Sequence, residues 1–216
     1  MMNCDLRLVI FDLDGTLIEF HHEYLFSQTE RIIRKFGHPE TERQVLEHHF
    51  SIFDYFGFVR EDERDNFIEK FWTEFDWNSF PTPVPIEGVV DALVELNSKN
   101  IATSIATSRF ATAKDIKKTL EPTNLLKYIS HIVPRPGDHV HWTDKRAQLL
   151  EVCKLHQVDP SQAMMIGDIP PDIKCAKDVG IGLAVAVRSG GIKENLLQAE
   201  NPDHIIESVK DILSVL

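Results

Sequence analysis

The sequence predicts an α/β fold: a doubly wound, Rossmann-like parallel sheet interrupted near its amino end by an inserted helical cap. Three observations carry that expectation. Short apolar, β-rich runs recur at residues 6–11, 101–107, 129–133, 163–166 and 183–187. From residue 89 onward single amphipathic helical stretches separate them, the pattern of right-handed crossovers in a sheet covered on both faces. Between about residues 19 and 80 the strand pattern disappears and helical spacing takes its place. The expected division is a core of residues 1–17 and 86–216 and a cap of residues 18–85.

The first run, Leu6-Arg7-Leu8-Val9-Ile10-Phe11, reads as a buried strand that breaks into a tight loop at Asp12-Leu13-Asp14-Gly15-Thr16. In the following stretch Tyr24, Leu25, Ile32 and Ile33, then Phe67, Ile68, Phe71 and Trp72, have helical spacing. Aromatics from Phe50 to Phe80 suit a small separate core, and Pro81, Pro83 and Pro85 stiffen the way out. After them come a helix at 89–99, a strand ending at Thr107-Ser108-Arg109, a helix at 112–120 and a strand at 129–133. A helix at 145–156 offers Leu149, Leu150 and Val152 for one buried face. The strand at 163–166 ends at Gly167-Asp168, a helix at 172–179 stops at Gly180, and residues 205–216 hold a final helix.

Composition limits what such a chain does. Against 23 basic residues stand 34 acidic ones, a formal net charge of −11, which disfavours a broad grip on nucleic acid but not on small phosphorylated ligands. No apolar stretch approaches the ~20 residues of a membrane span. Nor does the start, Met1-Met2-Asn3-Cys4-Asp5, carry the basic region of a secretory signal. Cys4, Cys153 and Cys175 are odd in number and widely spaced, so free thiols in a reducing compartment, the cytoplasm, are expected.

Ligands of open parallel sheets bind beyond the carboxyl ends of the strands. Three expected strands end there in chemically capable residues: Asp12 with Asp14, Thr107 with Ser108, and Asp168. A carboxylate can attack phosphorus to give an aspartyl-phosphate, and a second carboxyl nearby can protonate the leaving oxygen and then activate water. Read alone, Asp12-Leu13-Asp14-Gly15 is also an acceptable solvent-facing turn. Asp172 after Pro170-Pro171 can equally be a helix cap, and Thr107 and Ser108 can bond phosphate or cap a helix. Together, Asp12, Asp14, Asp168 and Asp172 form an oxygen-rich group that would be strongly repulsive without a cation and suits Mg2+. Lys145 alone reads as a solvated lysine.

In order, Asp12-Leu13-Asp14-Gly15-Thr16, Thr107, Lys145 and Gly167-Asp168 with Asp172 resemble the haloacid dehalogenase superfamily, and the resemblance runs over nearly the whole chain. Pro85-Ile86-Glu87-Gly88-Val89 resembles the usual entry to its core, and Pro202-Asp203-His204-Ile205-Ile206 its closing strand. The resemblance implies Asp12 as nucleophile, Asp14 as general acid/base and Thr107 as a phosphate ligand. It implies Lys145 as the cation between Asp12 and phosphate, with Arg135 as the alternative because Lys145 lacks the proline that often follows. It also implies Mg2+ held by Asp12, Asp168 and the backbone carbonyl of Asp14, with Asp172 in support. A helical insertion between the first two motifs is similar to the cap of the phosphoglycolate phosphatase-like branch, and an acid at position 14 argues against true dehalogenases.

The function so implied is Mg2+-dependent hydrolysis of a small phosphorylated metabolite by a monomer or homodimer. A phosphomutase of the same fold and a catalytically silent phosphate-binding protein are the alternatives. His21, His22 and Arg31 are candidate substrate contacts in the cap. The pairs His21-His22 and His48-His49 and the run His139-Val140-His141 lack the spacing of a transition-metal site. Arg188-Ser189-Gly190-Gly191 can be an anion loop, but a bare Gly-Gly after a strand is more often a turn, and it reads as one.

Overall fold

A computed structural model describes residues 5–37, 41–77, 79–135 and 143–216. Cys4 and the His139-Val140-His141 run lie outside them. Among the described residues two compact units form. One comprises the described residues of Met1–Glu19, Pro83–Pro136 and Thr143–Leu216, and the other is built on Phe20–Thr82. Ile18, Glu19 and residues 83–85, expected in the insertion, group with the first unit.

The first unit is a six-stranded, all-parallel sheet: β1 (Leu8–Phe11), β2 (Ala102–Thr107), β3 (His131–Pro134), β4 (Ala163–Gly167), β5 (Leu183–Val187) and β6 (His204–Ile206). Their order is β3-β2-β1-β4-β5-β6, so the strand order reverses between β1 and β4. Side chains of central strands alternate between two buried layers. Val9, Phe11, Met164 and Ile166 face one layer with α4 (Val89–Ser98), α5 (Ala113–Leu120) and the carboxyl-terminal segment. Leu8, Ile10, Ala163 and Met165 face the other with α6 (Arg146–His156), α7 (Pro170–Asp178) and α8 (Glu194–Ala199). Burial of each large apolar side chain is worth about 1.5–3 kcal/mol, and β1 is buried at all four positions, which anchors the loop that follows it.

Helix α4 buries Val89, Ala92, Leu93 and Leu96, the i, i+3, i+4, i+7 spacing of one face. Three expectations need correction. In α6 the buried stripe is Gln148, Leu149, Val152 and Cys153, and Leu150 is 47% exposed on the opposite side. Helix α7 begins at Pro170 rather than Asp172, because proline is pre-set for a first helical turn whose N–H groups are unused in any case. Residues 209–215 form a 3-10 helix.

In the second unit α1 (His22–Lys35), α2 (Arg43–Ser51) and α3 (Glu61–Glu74) share a core of Leu25, Phe26, Ile32, Ile33, Leu46, Tyr55, Phe56, Phe67, Phe71 and Phe75. Of the aromatics expected to fill a helical core, Tyr55, Phe56, Phe67, Phe71 and Phe75 are buried in it, and Phe50, Phe58, Trp72, Trp77 and Phe80 are half-buried against it. Helix α2 buries Leu46 and presents no wider apolar stripe. Inside this core the hydroxyls of Thr29 and Tyr55 meet at 2.5 Å, and Thr29 also donates to the Leu25 carbonyl. No helix among the described residues is long and apolar enough to cross a membrane.

Candidate active site

Phe11 lies in register with Ile105 of β2 and with Ile166 of β4. Asp12, Thr107 and Asp168 therefore leave three adjacent strands at the same edge, with Asp12 and Asp168 flanking the point where the strand order reverses. That position is where an open α/β sheet offers a crevice. The loop after β1 is tight: Gly15 N–H donates to the Ile18 carbonyl, and Leu17 and Ile18 donate to the Leu13 carbonyl. Gly15 supplies the positive φ of 78° that this turn requires.

Carboxylate oxygens of Asp12, Asp168 and Asp172 lie within 4.8 Å of one another, and all three residues are buried. Lys145, at the start of α6 and 1% exposed, reaches into the group: its Nζ donates to Asp12 Oδ1 at 2.5 Å and to Asp172 Oδ1 at 2.6 Å. Losing one partner of such a buried pair costs about 3–5 kcal/mol, because the other charge stays behind. Asp172 uses its second oxygen to accept the Ile169 N–H at the start of α7, so cap and charge partner are one residue. Asp168 accepts from the buried Thr16 hydroxyl at 3.0 Å.

Burial pushes Asp12 up to about 6; Lys145 opposes the rise, and Asp172 and Asp14 add to it. Asp168 is raised well above the usual carboxylate range by burial and then by repulsion from Asp12 and Asp172. For Lys145 burial acts downward, but Asp12 and Asp172 outweigh it and the ammonium is held above its ordinary value. Three carboxylates against one ammonium leave a buried excess of negative charge.

The Asp14 carboxylate stands apart from that group. Arg109, 7% exposed, grips it with Nε to Oδ2 and Nη2 to Oδ1, each at 2.6 Å. Burial acts to lower the guanidinium, and Asp14 more than reverses this, so the net direction is upward. The backbone N–H of Arg109 donates to Thr107 Oγ1 at 3.2 Å, while Gln148 of α6 fixes the Thr107 carbonyl at 2.9 Å. Ser108 Oγ is buried without a hydrogen-bond partner among the described residues, which leaves it a donor to offer.

The loop after β5 also belongs here. A β-carbon at Gly190 would lie 1.8 Å from Asp168 Oδ2, and Ser189 Oγ donates to the Gly15 carbonyl at 2.6 Å. In the sequence Gly190 reads as an ordinary turn glycine and Arg109 has no role. The signal in both cases was a position just beyond a strand. Arg135, the alternative to Lys145, stacks its guanidinium over the Phe110 ring at 5.0 Å. In the helical unit His22 packs among Phe20, Phe26 and Phe50, and burial holds its imidazole below the ordinary range. His21 packs edge-on to Phe80, and Arg31 bonds Gln28 and the Glu74 carbonyl.

Residues 9–186 match the sequence model of the haloacid dehalogenase-like hydrolases. The chain is 27% identical over 225 residues to the pyrophosphatase PpaX of Oceanobacillus iheyensis, an alignment covering 98% of this chain and 97% of that one. It is 24% identical over 233 residues to a phosphoglycolate phosphatase of Vibrio parahaemolyticus, covering 100% of this chain and 98% of that one. Among solved structures, a haloacid dehalogenase-like hydrolase from Streptococcus pneumoniae superposes with a TM-score of 0.76 over 98% of both chains. At 18% identity that likeness is one of fold.

Proposed function

The chain belongs to the haloacid dehalogenase-like hydrolases, and from that premise we propose that it is a Mg2+-dependent phosphatase acting on a small phosphomonoester through an aspartyl-phosphate at Asp12. The observation that carries this reading is the buried group of Asp12, Asp168 and Asp172, with Lys145 2.5 Å from Asp12. Those residues fit the metal: the excess negative charge is all on hard oxygen ligands, the donor type Mg2+ takes. Asp12, Asp168 and the backbone carbonyl of Asp14 would hold it, with Asp172 in support. When bound, the ion supplies positive charge that offsets repulsion between an attacking carboxylate and the phosphoryl oxygens.

The rest falls to side chains of this chain. Asp12 attacks phosphorus, and the bond to the leaving oxygen breaks as that oxygen takes a proton from Asp14. Thr107 and Ser108 donate to the phosphoryl oxygens, and Lys145 balances their charge against Asp12. In the second half Asp14 takes a proton from water, the water oxygen bonds to phosphorus, and Asp12 leaves with inorganic phosphate as product. The names of the two relatives point to small phosphorylated compounds, each with a second anionic group beside the phosphoryl group. Buried free thiols at Cys153 and Cys175 support a reducing compartment, the cytoplasm.

The test is release of phosphate from p-nitrophenyl phosphate. Chelation should stop it and Mg2+ restore it, and a folded Asp12→Asn protein should be slower by about a thousand-fold or more. Undiminished release in chelator, or by Asp12→Asn, would overturn the reading. Isomerisation of a sugar phosphate without net phosphate release would mark a mutase instead.

A further inference from the structure

The chemistry above gives Arg109 no task, yet its guanidinium is buried at the end of β2, two residues beyond Thr107, and grips Asp14 through two bonds of 2.6 Å. A guanidinium edge presents parallel N–H groups that match two oxygens of a carboxylate or a phosphate. The Asp14 carboxylate shows that this edge, in this place, accepts such a group. Asp14 cannot fill the fork with both oxygens and also reach a leaving oxygen; to act as acid and base it has to turn away. Because the Arg109 N–H is tied to Thr107 Oγ1, the fork and the phosphate ligands are parts of one strand end.

We propose that Arg109 is a specificity-determining residue: when Asp14 turns to the leaving oxygen, the guanidinium edge takes a second anionic group carried by the substrate. The preferred substrates are then phosphate compounds with a carboxylate or a second phosphate a few bonds from the transferring phosphorus. This rests on the reading of Asp14 as acid/base and adds a substrate class to it. It also gives the substrate a reason to release Asp14, since only a ligand with its own anion can exchange for the carboxylate on equal terms.

The experiment compares phosphorylated hydroxy-acids of two to four carbons with their isosteric amides, using kcat/KM. The wild-type protein should prefer at least one acid over its amide by on the order of ten- to a hundred-fold, the worth of hydrogen bonds to a charged group. In Arg109→Gln that ratio should fall to about one, whatever loss both members share through Asp14. Arg109→Lys, which keeps the charge without the fork, should keep an intermediate ratio. A wild-type protein that prefers no acid over its amide, or an Arg109→Gln ratio equal to that of wild type, would overturn the proposal. Failure of the underlying phosphatase reading shows separately, as p-nitrophenyl phosphate turnover that survives Asp12→Asn.

Discussion

Asp12 and Asp168 carry the cost of the site. With Asp12 raised from 3.8 to about 6, the folded state binds more protons than the unfolded one across that interval. Stability of the metal-free protein is therefore highest below about pH 4 for this group and falls as pH rises through about 6, by on the order of 1–3 kcal/mol. Asp168, raised in the same direction, adds to the fall. In chelator, Asp168→Asn should melt at a higher temperature than wild type near neutral pH, and the gap should close on acidification. Mg2+ should stabilise wild type more than the variant. A variant that melts lower than wild type in chelator at neutral pH would mean that the carboxylate is not strained there. Asp12 and Asp168 directly follow apolar runs and Thr107 ends one, so their convergence at one edge of the sheet is legible in the sequence, with Asp14 two residues beyond Asp12. The pairing of Arg109 with Asp14 is not, since it joins residues 95 apart and no local pattern encodes it.

The loops that end β1, β4 and β5 are built against one another. Gly15 and Gly190 both approach Asp168, and a β-carbon at Gly15 would lie 2.6 Å from Asp168 Oδ2 and 2.9 Å from Gly190 Cα. Gly190→Ala must therefore displace the carboxylate or the loop, at a cost of about 1–3 kcal/mol. The expected outcome is a lower melting temperature together with weaker Mg2+ binding by calorimetry. Wild-type Mg2+ affinity in Gly190→Ala would show that this loop does not hold Asp168 in place. Strands β1 to β5 are legible because strands buried on both faces read as continuous apolar runs. Strand β6, three residues with only Ile206 buried, is given by the family resemblance alone, and its Ile205-Ile206 otherwise reads as the start of the last helix. Gly190 is not legible, because its reason is a side chain from another strand end, and within its own loop it is an ordinary turn glycine. The start of α7 was misplaced for a related cause: Pro170-Pro171 reads as a stiff loop until the chain is seen to turn helical at the first proline.

At the scale of the whole molecule, the two units have separate cores, and the chain enters and leaves the helical one through a short paired neck. Ile18 bridges to Pro85, Glu19 N–H donates to the Val84 carbonyl, and Ile86 N–H donates to the Leu17 carbonyl. The insertion thus interrupts the chain and not the sheet, and Asp12, Asp14, Thr107, Lys145, Asp168 and Asp172 all belong to the sheet unit. That arrangement was legible because helical spacing and aromatic density replace strand pattern over one continuous stretch.

The account stands on covalent transfer of the phosphoryl group to Asp12. Its most direct measurement is acid-quenched, single-turnover reaction of Asp14→Asn with p-nitrophenyl phosphate and Mg2+, followed by mass spectrometry of the peptides. A good leaving group needs little protonation, so the first step should proceed while the second, lacking its base, stalls. The predicted result is a phosphorylated peptide with the phosphoryl group on Asp12, formed at the rate of p-nitrophenol release and sensitive to hydroxylamine. Release of p-nitrophenol with no phosphorylated peptide, or with the phosphoryl group on any other residue, would contradict it.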